Sequence, residues 1–124
     1  MLQGPERRHI IENTNTGGVI AVHVELAIDS ASRRRGLLGR DSFARGSALI
    51  IAPCNSIHTF FMRFDIDVVF VARDGRVLKT YDAMPRRRIG LSAGAFAAIE
   101  LPAGTLARTA AKRGDVLALV GQEP

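Results

Sequence analysis

From Val19 to Leu26 the chain alternates. Val19, Ala21, His23 and Glu25 stand against Ile20, Val22, Val24 and Leu26, a period of two that predicts a half-buried strand with His23 exposed on its polar side. Ala48 to Ala52 is a short apolar strand stopped by Pro53. The runs Ile57 to Arg63 and Ile66 to Arg73 follow, and the second is apolar on both faces, as in a central, covered strand. Asp74-Gly75 then predicts a hairpin into the run from Arg76 to Tyr81. Phe96 to Leu101 and Val116 to Val120 complete the predicted strands. One helix is expected over Ala31 to Gly39, capped by Asp29 or Ser30, with Arg33 and Arg40 on one face and Gly36 and Gly39 open to close packing. A second helical turn leads to Ala111. Residues 1–18 read as a polar N-terminal arm and 82–95 as a linker. The expected fold is therefore α+β: a β-rich single domain over 19–120, mostly an antiparallel barrel-like sheet with one or two short helices.

Composition narrows the class without naming a function. A chain of 124 residues, 47% hydrophobic and 23% charged, fits one globular domain that needs no disulfide or metal to hold it. No apolar run approaches the ~18–20 residues that a membrane-crossing helix needs. Met1 to His9 carries no apolar signal core, which makes a cytoplasmic location the expectation. The single cysteine cannot form an internal bridge. A net charge of +5 comes largely from Arg33-Arg34-Arg35 and Arg86-Arg87-Arg88. These triplets suit either solvated surfaces or an anionic polymer, but one Tyr and no Trp disfavour single-strand nucleic-acid stacking.

Candidate chemistry gathers between Pro53 and Phe70. Cys54, Ser56 and His58 alternate and share a face if the chain is extended. A straight strand would then hold Cys54 and His58 ~13 Å apart, beyond the contact that a nucleophile and its base require. A C-x3-H pair supplies two ligands where a closed zinc site takes four, so neither a metal nor a cofactor is expected. No glycine-rich phosphate loop occurs. Asp67, heading the covered strand, is expected to be at least half buried and paired with an arginine, Arg40 before Arg63. Glu100, the lone acid among Ala97, Ala98, Ile99 and Leu101, caps a turn or faces the same polar pocket. The leading expectation is a non-enzymatic module that binds a small ligand or a protein partner at a concave site drawing on Arg40, Cys54, Ser56, His58 and Asp67. A Cys/His-dependent enzyme or redox thiol protein is the first alternative, and anionic-polymer binding through the arginine triplets is the second.

Four ordered motifs resemble a known family. Arg33 to Arg40 is similar to the R-G-L-M-G-R helix of the domain-of-unknown-function family 192, and His58 to Arg63 to its H-x-F-W-M-K segment. Asp67 to Phe70, continuing to Asp74-Gly75, resembles its L-D-I-x-F-x-D-x-D-G strand and hairpin. Glu100 to Gly104, with Gly114-Asp115, resembles its closing L-E-L-P-A-G and G-D elements. Phe61 stands where the family usually has Trp, and the segment from Met62 to Asp67 is about three residues shorter than the common form. The resemblance implies a small, single, β-rich α+β domain and no particular activity.

Overall fold

The computed structural model describes residues 8–122. Its strands are β1 (Arg8–Asn13), β2 (Val19–Ala21), β3 (His23–Ala27), β4 (Ser47–Ile51), β5 (Ser56–His58), β6 (Ile66–Val71), β7 (Val77–Met84), β8 (Ile89–Leu91), β9 (Ala97–Pro102) and β10 (Leu117–Gln122). Two short helices, α1 (Ser30–Arg35) and α2 (Thr105–Thr109), interrupt them. A five-stranded sheet in the order β3-β4-β9-β6-β7 is the centre of the molecule. The other sheets are β10-β1-β2 and the β5-β8 pair. Every pairing is antiparallel except β3 with β4. The domain is β-rich as expected, but its three sheets do not close into a barrel.

Alternation along the central strands makes two cores. Val69, Val71, Ile99 and Leu101 face one way, onto Ile11, Ile20, Leu106 and Leu117 from β1, β2, α2 and β10. Ile66, Val68, Phe70 and Ala98 face the other way, onto Leu37, Ile57, Met62 and Met84. Covering both faces of a sheet calls for an unbroken apolar strand. All six residues of β6 are buried, and Asp67 is the one among them that is not apolar. The hairpin after it forms as the sequence implied, with Ala72 N–H bonded to the Arg76 carbonyl at 3.0 Å. Gly75 is needed there on two counts: its φ is 89°, and a Cβ would lie 2.0 Å from the Leu117 carbonyl oxygen.

Elsewhere the structure corrects the expected elements. Residues 8–13, read as part of an arm, form β1, because Ile11 is buried against the core while β10 supplies the ladder. The run from Val19 to Leu26 is two strands in different sheets. It divides at Val22, where the Gly46 carbonyl accepts from both Val22 and His23 N–H at 2.8 and 3.0 Å. Helix α1 is capped by Asp29, whose carboxylate accepts from Ser32 N–H at 2.7 Å. It ends at Gly36 rather than Gly39, so Arg40 lies outside it and shares no helical face with Arg33. The two glycines serve turns, with φ of 47° and 83°, instead of helix packing. Strand β5 stops at His58, since Thr59 begins a turn that returns the Met62 N–H to its carbonyl. The expected linker 82–95 contains the end of β7 and all of β8.

Candidate functional site

One register row crosses the second face of the central sheet: Glu25 on β3, Leu49 on β4, Glu100 on β9, Val68 on β6 and Tyr81 on β7. Strands ~4.8 Å apart put the two acids of that row about 10 Å from one another, with Leu49 between them. Glu25 is at the sheet edge and is held by Arg40 in a bidentate pair at 2.7 and 3.1 Å. That pairing holds the Glu25 carboxyl below its usual range. Glu100 lies inside, only 5% exposed. Among the described residues no hydrogen bond or salt bridge reaches its carboxylate. Burial pushes the Glu100 carboxyl up to about 7, against the field of Arg40, which pulls it down.

Glu100 opens into a pit of about 60 Å³. Leu37 and Leu38 beyond α1, Ile57 and His58 of β5, and Met62 form its walls, while Arg33, Arg34 and Arg35 reach it from α1. A groove of about 450 Å³, bounded by Ser30, Pro53, Cys54, Asn55 and Ser56, adjoins it. Arg33, Arg34 and Ile51 belong to both cavities. Each wall has a local cause. The capped α1 and the turns at Gly36 and Gly39 carry Leu37 down onto the sheet, where it is buried. Pairing with β8 turns Ile57 inward and leaves Ser56 and His58 exposed on either side of it.

The five residues expected to share a cleft divide. Cys54 and Ser56 border the groove, and His58 borders the pit. Arg40 is engaged with Glu25 beside them. Asp67 is on the opposite face of the sheet, one residue out of phase with Val68, and is fully buried. Its partner is no arginine: Arg40 pairs with Glu25 and Arg63 with Asp41. Instead one Asp67 oxygen accepts from the Ala83 N–H and the other from the Leu106 N–H, both at 2.7 Å. Leu106 belongs to the first turn of α2, and Ala83 has a left-handed φ of 47°. Asp67 therefore fixes a helix start and a strand bend.

Cys54 and His58 are not joined by a hydrogen bond among the described residues. The thiol donates to the Ser56 carbonyl at 3.0 Å, and the His58 ring lies against Phe60 with centroids 5.7 Å apart. Burial pushes the Cys54 thiol up, away from the thiolate that nucleophilic chemistry uses. Among the described residues no three His, Cys, Asp or Glu side chains are grouped as metal ligands. Glu100 is the residue that sequence reasoning noted without placing at the centre. Its signal was a single acid on an otherwise apolar strand.

The DUF192 family profile, described as "Uncharacterized ACR", matches residues 11–119. The fold also occurs in solved structures. A putative transcription regulator from Sinorhizobium meliloti 1021 is 22% identical with a TM-score of 0.79, covering 96% of this chain and 97% of its own. A protein of unknown function from Novosphingobium aromaticivorans DSM 12444 is 24% identical with a TM-score of 0.76, covering 94% of this chain and 88% of its own. No curated protein matches the chain. No helix among the described residues is long and apolar enough to cross a membrane.

Proposed function

The chain belongs to the DUF192 family, and we propose that it is a non-enzymatic binding module whose site is the pit at Glu100 with the groove of Cys54 and Ser56. The observation that carries this reading is Glu100, a residue only 5% exposed, at a cavity walled by apolar side chains and the arginines of α1. Its carboxylate has no hydrogen bond or salt bridge among the described residues and keeps its remaining access to solvent. A carboxylate drawn largely out of water is costly to charge when only the field of Arg40 offsets its burial, and a cationic or hydrogen-bond-donating ligand group supplies a direct partner. Binding is favoured over thiol chemistry because Cys54 is bonded to a carbonyl rather than to a base, and its proton is held more tightly than usual.

The reading is tested with ethylammonium as probe, following the methyl resonances of Leu37, Ile57 and Met62 by NMR. Saturable shifts confined to these methyls are expected, and they should vanish in Glu100→Gln. No shift, or the same shift in the variant, would refute the site.

A further inference from the structure

We propose that the ligand is a small zwitterion, seated with its ammonium group in the pit at Glu100 and its anionic group in the adjoining groove beside Arg33 and Arg34. This rests on the reading above and adds the ligand class. The size of the pit limits what can enter. A water needs about 10–15 Å³ on the same measure, so about 60 Å³ holds a few heavy atoms, room for an ammonium group and a short stem. The rest of the ligand must lie outside, and the shared wall of Arg33, Arg34 and Ile51 directs it into the larger groove.

Opposite charges meet at that wall. Glu100 is the acid of the pit, and Arg33 and Arg34 stand on the wall common to pit and groove, where the groove adds the polar side chains of Asn55 and Ser56. Arg33 is also positioned. Its Nε donates to the Asp29 carbonyl at 3.3 Å and its Nη1 to the Pro53 carbonyl at 3.4 Å, so its guanidinium is stretched along the groove. A guanidinium has five N–H donors, which leaves others for a carboxylate or phosphate. Arg40 does not take this role, because Glu25 already holds it on both nitrogens. A plain cation would enter past three arginines, and a plain anion would meet Glu100. A molecule carrying both charges satisfies each end.

The test compares ω-amino acids from glycine to 5-aminovalerate with alkylammonium ions and alkyl carboxylates of matched length, by NMR titration of the intact chain. At least one amino acid is expected to bind roughly tenfold more tightly than its matched amine, the gain of about one charge-assisted contact. The double variant Arg33→Gln/Arg34→Gln should lose that gain and keep amine binding, while Glu100→Gln should lose both. Amines that bind as tightly as the amino acids would overturn the zwitterion and leave the Glu100 site standing. Carboxylates that bind as tightly as the amino acids would also overturn it. If no compound binds at the pit, the site itself falls.

Discussion

Asp67 and Glu100 are buried carboxylates on neighbouring strands of one sheet, yet their surroundings are opposite. Asp67 faces the core beneath α2, where two backbone N–H groups at 2.7 Å occupy its oxygens. Glu100 faces the second core, where Leu37, Ile57 and Met62 surround it and no hydrogen bond among the described residues meets it. Burial alone does not separate a structural acid from one poised for a ligand. The satisfaction of its lone pairs does. Both acids head or interrupt apolar strands in the sequence, so only the direction of each side chain distinguishes them.

The sharpest way to break this contrast is to exchange each acid for its amide. Asp67→Asn keeps one acceptor and turns an NH2 toward a buried N–H, so one backbone donor loses its partner. A loss of about 3 kcal/mol is expected in chemical denaturation, since hydrogen bonds to a charged group are worth ~1.5–3 kcal/mol each. A loss near zero would show that the two short contacts hold nothing together.

Glu100 should respond to pH in a way that Asp67 does not share. Its folded carboxyl is near 7, above the ordinary value of 4.5. The folded state therefore binds the extra proton between these values, and stability from this group is full below 4.5 and lost as pH rises through 7. Between pH 5 and 7.5 the expected decline is about 2 kcal/mol. Arg40 and Glu25 from the sheet edge, Arg33 to Arg35 from α1, Cys54 and His58 also face this region. A His58→Gln background takes the imidazole out of the comparison. Glu100→Gln in that background should flatten the decline, and an unchanged slope would assign it to another group.

Much of the fold was legible because single residues carried it. The covered strand β6 followed from Ile66, Val68 and Phe70 on one face and Val69 and Val71 on the other, and the hairpin from Asp74-Gly75. What failed depended on tertiary partners. Ile10 and Ile11 read as a short apolar pair in a polar arm until β10, more than a hundred residues away, pairs with them. Val22 belongs to an unbroken alternation until the Gly46 carbonyl divides it. The proposed site was half legible for the same reason. Cys54, Ser56 and His58 are close in sequence, and their neighbourhood survives folding. The parity of one residue along β6 sends Asp67 to the other face, and the pairing of β9 with β4 and β6 brings Glu100 in. Asp67 looked in need of an arginine because charge suggests charge, whereas backbone amides met it instead.

The most direct measurement is the titration of the Glu100 side-chain carboxyl carbon by NMR, assigned by its loss in Glu100→Gln. An acid buried in this pit without a hydrogen-bond partner should titrate near 7 in the free protein. A midpoint at the ordinary glutamate value of about 4.3 would mean that water or a hidden donor already satisfies the carboxylate, and the contrast with Asp67 would be lost.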